Sequence, residues 1–128
     1  MYDMDLVIGI LAQILEATQK VNSRFAPIHT VNDFTDSPAG MEKLDSICML
    51  LIAIGESLKN IDKITNKELL INYPEIDWRG AKGMRDIISH HYFDIDAEEI
   101  FWVCEKHIPP LSKTIEKIIT DIRSGSLK

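Results

Sequence analysis

Apolar residues recur every three or four positions along most of this chain, and that period predicts where its elements lie. From Asp5 to about Phe25 the stripe runs through Val7, Ile10, Leu11, Ile14, Leu15, Thr18 and Val21, the spacing of one face of an amphipathic helix. Pro27, Asn32, Asp33, Asp36, Ser37 and Pro38 then crowd into a dozen residues, a density of turn formers that predicts a surface connection. Ser37 followed by Pro38 reads as an N-cap and first turn. The segment it opens carries Leu44, Ile47, Cys48, Leu51, Ile52, Ile54 and Leu58, a face broad enough to make it the most buried element, and it is expected to run to about Ile61. Thr65 is expected to cap a brief helix bearing Leu69 and Leu70, which Asn72, Tyr73 and Pro74 interrupt because a residue before proline is pushed out of helical geometry. Asp77 caps the next helix and Trp78 anchors its start; Asp96 with Glu99 three residues on forms a capping box for the last. That last stripe, Ile100, Val103, Cys104, Ile108, Leu111, Ile115, Ile118 and Ile122, contains Pro109 and Pro110, which predict a kink or break. No segment alternates apolar and polar residues between hairpin turns. The expectation is an all-α bundle of four to five helices with a kinked last helix, forming one domain over residues 1–128.

The stretch from Arg79 to Tyr92 departs from the rest. On a helical wheel of about 100° per residue, Ala81, Met84, Ile87 and Ile88 share the core-facing half. The opposite half gathers Arg79, Lys82, Arg85, Asp86, Ser89, His90 and Tyr92 and is predicted to be exposed. Asp86 and His90 are one turn apart, so an imidazole, a carboxylate that can orient it and a fixed cation converge. Glu56, directly after Gly55, interrupts an otherwise apolar helix; it is a candidate partner for Arg85, with a solvated position or a structural ion pair equally open.

Composition narrows the function. With 128 residues, 45% of them hydrophobic, the chain can bury one conventional core. No apolar run approaches the roughly 20 residues of a membrane span and the N-terminus is acidic, so the expected location is cytoplasmic. Cys48 and Cys104 sit among apolar residues and are expected to be buried free thiols. The net charge of -6 disfavours a protein that coats nucleic acid, although Arg79, Lys82 and Arg85 against Asp86 make a locally basic patch. His29, His90, His91 and His107 form no HExxH pair or zinc array, and neither a metal nor a cofactor is expected. Asp94 and Asp96 read as a turn and an N-cap, since no glycine-rich phosphate loop precedes them.

Arg85, four residues, His90, one residue, Tyr92 resembles the Arg-x4-His-x-Tyr motif of the HEPN superfamily (higher eukaryotes and prokaryotes nucleotide-binding), and specifically its HepT-like toxin branch. IGESLK (Ile54 to Lys59), NYPEIDWRGAKGMRDIISHHYFDID (Asn72 to Asp96) and HIPPL (His107 to Leu111) carry the likeness from the second helix onward. His91 departs from it, standing where that branch usually has Asp, which removes a carboxylate beside the motif. The resemblance implies a homodimeric helical bundle whose paired motifs form a metal-independent endoribonuclease site, with Arg85 and His90 catalytic. It also implies a toxin encoded with a nucleotidyltransferase antitoxin that can silence it by adding AMP to Tyr92.

The residue chemistry is compatible with cutting RNA through its own 2'-OH, which needs proton transfer and a cation for the charge developing at phosphorus. His90 titrates near neutrality, Asp86 is placed to orient it, and Arg85 suits a bidentate grip on phosphate. Tyr92, Ser89 and Glu56 are supporting positions, while Arg79 and Lys82 are candidate substrate contacts. Five-residue spacing sets Arg85 and His90 about 140° apart on one helix, so two copies facing each other serve better than one. The alternative reading is a non-catalytic helical partner that binds a nucleotide or presents substrate to the transferase.

Overall fold

The computed structural model describes residues 2–90 and 94–125, with the side chains of Ile87, Ser89 and His90 outside what it describes. Helix α1, Met4–Phe25, begins at Asp3, whose carboxylate accepts from the Leu6 amide at 3.1 Å. Its stripe of Val7, Leu11, Ile14, Thr18 and Val21 is buried as the periodicity predicts. The connection that follows contains one helical turn, α2, Asn32–Thr35, which the density of turn formers concealed. Phe34 is fully buried there and packs on Phe25, whose ring also meets Phe101 at 5.0 Å. Gly40 is needed beneath this turn, because a Cβ would collide with the carbonyls of Asp33 and Phe34.

Helix α3, Pro38–Ile64, is the longest element and holds the centre of the core. Ser37 caps it as expected, its hydroxyl accepting from Gly40 N at 3.0 Å. Thr65 behaves differently from the expectation. It ends α3 instead of starting a new helix: its amide and its hydroxyl both donate to the Ile61 carbonyl, at 2.9 and 2.7 Å. A threonine hydroxyl that bonds backward four residues is no longer available to cap forward. Asn66 and Lys67 then adopt left-handed φ values of 56° and 61°, and Lys67 N returns to Asp62 O at 2.8 Å, the six-to-one closure of a Schellman motif. Leu69 and Leu70 are buried, with only a 3-10 turn at Leu70–Asn72.

Helix α4, Trp78–His90, starts where Asp77 accepts from Gly80 N at 3.0 Å and Trp78 Nε1 donates to Tyr73 O at 2.8 Å. Tyr73 in turn donates its hydroxyl to Asp121 at 2.7 Å, tying this connection to the last helix. That helix is built of joined pieces: α5, Ala97–Trp102, a π turn over Val103–His107, and α6, Ile108–Arg123. Asp96 caps α5 by accepting from Glu98 N and Glu99 N. Pro109 and Pro110 fall in the first turn of α6, and the irregularity they impose appears just upstream, as the widened turn.

Helix α3 thus packs against α1, α2 and α4, and α6 closes over α1. The architecture is all-α, with no strand among the described residues. Cys48 and Cys104 are free and buried, and burial pushes their thiols up to about 11 and about 12. Among the described residues no helix is long and apolar enough to cross a membrane.

Candidate active site

The site is organised by a close crossing of α3 and α4 at Gly55. A Cβ there would lie 3.1 Å from Lys82 O, 3.3 Å from Ala81 O and 3.3 Å from the Arg85 Cβ, so the missing side chain is what allows α4 to lie this near. The two helices run in opposite directions across the contact, Glu56 meeting Arg85 and Asp62 meeting Lys82. The polar face of α4, predicted to be exposed, is instead half-covered: Lys82, Arg85 and Asp86 all turn toward charged groups on α3. A wheel drawn on one helix cannot register carboxylates and amines supplied by another.

Arg85 is the focus. Its Nε pairs with Glu56 Oε1 and its Nη1 donates to Asp86 Oδ1 at 3.1 Å, with the side chain still 44% exposed. Two carboxylates therefore fix its direction while leaving donors open to solvent. Asp86 accepts at its other oxygen from Lys59 Nζ, 3.4 Å away. The Lys59 hydrogen bond and charge, assisted by Arg85, hold the Asp86 carboxyl below the usual carboxylate range. Lys82 is neutralised by the buried Asp62, a tight pair between the two helices. Arg79 is exposed at the start of α4.

The backbone of α4 continues through Ser89 to His90, five residues beyond Arg85 and so about 7.5 Å further along the axis. The side chains of Ser89 and His90 lie outside the described residues, as do His91 and Tyr92 altogether. Of the residues singled out from sequence, Arg85, Asp86 and Glu56 are brought into one cluster, Lys82 into an adjoining pair, and Arg79 to the edge. Three lysines went unnoticed in the sequence. Lys59, Lys63 and Lys67 line an open groove of about 600 Å³ with Arg79, Lys82, Asp62 and Asp86. The four-residue spacing of the three was the available signal. Among the described residues no group of three or more His, Cys, Asp or Glu side chains is placed to hold a metal ion.

The family model described as "Ribonuclease HepT-like" matches residues 9–118, nearly the whole chain. A candidate RNase of Methanocaldococcus jannaschii is 38% identical over 72 residues, 56% of this chain and 56% of that relative. A second candidate RNase of the same organism is 35% identical over 77 residues, 60% of each chain. A candidate ribonuclease HepT of Thermococcus cleftensis is 36% identical over 73 residues, 57% of this chain and 63% of the relative. Each alignment spans less than two thirds of the relative's own length. No solved structure matches the chain significantly. The match over residues 9–118, which takes in the Gly55 crossing and the helix carrying Arg85, shows that the chain belongs to the HepT-like ribonuclease family of the HEPN superfamily.

Proposed function

We propose that the protein is an endoribonuclease that cuts RNA without a metal ion, and that it acts as the toxin of a toxin-antitoxin pair. The observation that carries this reading is the preset Arg85. Its guanidinium is directed by Glu56 and Asp86, remains partly open, and stands five residues before a histidine on the same helix. In the proposed reaction the 2'-OH of RNA attacks the adjacent phosphorus, and the bond to the 5'-oxygen of the next nucleotide breaks. His90 moves the proton, removing it from the 2'-OH or returning it to the leaving oxygen. Arg85 neutralises the charge that develops on the phosphoryl oxygens. The products are a 2',3'-cyclic phosphate and a free 5'-OH.

Because Arg85 and His90 diverge by about 140° on one helix, the reading includes a homodimer in which Arg85 of one protomer works with the partner's His90. It also includes a nucleotidyltransferase antitoxin that adds AMP to Tyr92, two residues from His90, where a bulky anion would repel phosphate. Family membership supports both parts, as does the Arg-x4-His-x-Tyr spacing. A non-catalytic partner of the transferase is the second reading, and one observation favours it: Arg85 already has two carboxylates on it.

One experiment separates them. Purified protein, shown by intact mass to be unmodified at Tyr92, is incubated with total RNA in EDTA and the new ends are mapped. Discrete ends in 2',3'-cyclic phosphate, lost in Arg85→Ala and His90→Ala variants that still fold, are the expected result. Cleavage that survives both substitutions, or its absence from unmodified protein, overturns the catalytic assignment.

A further inference from the structure

The groove beside Arg85 is electrostatically unlike the rest of the molecule. The chain as a whole carries a net charge of -6, yet five cations line this groove against two carboxylates. The carboxylates are already used: Asp62 by Lys82 and Asp86 by Lys59 and Arg85. Among the described residues Lys63, Lys67 and Arg79 have no ion-pair partner, and all three are exposed. Uncompensated positive charge concentrated in a concavity of an acidic protein focuses the field on an anion.

The turn that presents Lys67 gives a second, independent indication. Closing the Schellman motif needs one left-handed residue, and Asn66, a residue type that tolerates the conformation, supplies it. Lys67 is left-handed as well, at φ 61°, where glycine would sit without strain. A strained backbone that is kept at a lysine, with the side chain in a groove of cations, argues that the ammonium is wanted there. Stabilising the negative end of α3 accounts for Lys63, in its last turn, but for neither Lys67 nor Arg79.

We propose that this groove is a track for the phosphate backbone of single-stranded RNA, entered past Arg79, Lys63 and Lys67 and leading to Arg85. It rests on the ribonuclease reading for the identity of the ligand and adds the path by which the substrate enters. The groove and the site are continuous, since Asp86 and the Lys59 that pairs with it belong to both. Lys59 and Lys63 are about 6 Å apart along the helix axis, on the order of one phosphate-to-phosphate step in a single strand. Among the described residues no aromatic side chain lines the groove, so along Lys59, Lys63, Lys67 and Arg79 bases find no stacking surface and the contact is to the backbone, indifferent to sequence.

The test uses the full chain and a short fluorescent strand of 2'-O-methyl RNA, which lacks the attacking hydroxyl and stays intact. Affinity is measured by anisotropy over a range of salt for wild type, for Lys63→Ala/Lys67→Gly and for Lys63→Arg/Lys67→Arg. Losing two phosphate contacts is expected to flatten the slope of log affinity against log salt by about 1.4 and to weaken binding about tenfold near 0.15 M salt. The arginine variant keeps the wild-type slope. The Lys67→Gly change relieves a left-handed lysine, so a melting temperature no lower than wild type shows that lost binding is not lost folding. An unchanged slope in the double variant, or wild-type binding indifferent to salt, overturns the track. Loss of binding to an acidic peptide alone, with RNA binding intact, overturns it in favour of an acidic protein partner. Cleavage of natural RNA is followed in parallel. Cleavage with an unchanged slope defeats the track and leaves the ribonuclease reading standing, whereas lysine-dependent binding without cleavage does the reverse.

Discussion

Substituting Gly55 by Ala tests whether the α3–α4 crossing sets the geometry of Arg85. Two effects oppose each other. In a helix interior alanine is favoured over glycine by about 0.5 to 1 kcal/mol, because glycine loses more backbone freedom on folding. Against this, the new methyl would stand 3.1 Å from Lys82 O and 3.3 Å from both Ala81 O and the Arg85 Cβ. Two of those three atoms are backbone and cannot rotate aside, so α4 itself must shift by a few tenths of an ångström. That helix is held at its start by the Trp78 to Tyr73 hydrogen bond and along its length by the Lys82 to Asp62 pair. Overpacking of this kind costs about 1 to 3 kcal/mol, so the net effect is a destabilisation of about 1 kcal/mol, equivalent to a fall of about 4 °C in Tm for a chain of this size. The loss of RNA cleavage is expected to exceed the loss of stability, since Glu56 and Arg85 lie on the two surfaces being pushed apart. Thermal melting by circular dichroism and single-turnover cleavage measured well below Tm read the two separately. A Gly55→Ala protein that melts higher than wild type and cleaves normally would refute the reasoning, because it would mean α4 can move away from α3 without consequence for Arg85.

Two further outcomes follow from the ion pairs and the helix connections. Asp86 has its folded-state pKa lowered from 3.8, chiefly by Lys59, so its contribution to stability is present above the ordinary carboxylate range and is lost as pH falls through the folded value. Melting curves of wild type and Asp86→Asn are therefore expected to differ by a constant amount from neutrality to about pH 5 and to converge below about pH 4; a difference that grows on acidification contradicts this. Tyr73→Phe removes the hydroxyl that donates to Asp121 at 2.7 Å, and urea unfolding should show a loss of about 1 kcal/mol with little change in slope.

What could be read from the chain alone was whatever depends on a helix's own period. The stripes of α1 and α3, the caps at Ser37, Asp77 and Asp96, and the disturbance at Pro109 and Pro110 are local, and each involves residues within a turn or two of one another. The features that escaped depend on a partner or a competing bond. Thr65 is compatible with capping either way, and only its backward bond to Ile61 decides. Phe34 looked like part of a polar connection because its burial depends on Phe25 and Gly40, on other elements. The polar face of α4 read as solvated because its counter-charges, Glu56, Lys59 and Asp62, lie 20 or more residues away. Glu56 was the exception, singled out because a lone carboxylate after glycine breaks an apolar run.

The strength of the pairs around Arg85 bears on whether they oppose the proposed chemistry or prepare for it. At 44% and 51% exposure, the Arg85 and Glu56 side chains are both well hydrated, and an ion pair in that setting contributes about 0 to 1 kcal/mol. A phosphodiester can therefore replace Glu56 at small cost, since it offers the guanidinium two oxygens in the same fork geometry. Meanwhile the pair narrows the rotamers of a long side chain before substrate arrives, and the ordering cost of binding falls accordingly. The buried Asp62 and Lys82 pair contrasts with this. Removing one partner there would leave a poorly hydrated charge, so exchange with a phosphate is disfavoured. On that reasoning these two of the three α3–α4 pairs divide the work. Lys82 and Asp62 hold the helices together, whereas Arg85 and Glu56 keep a cation aimed, and in the proposed reaction substrate contact falls to the cations without a buried partner.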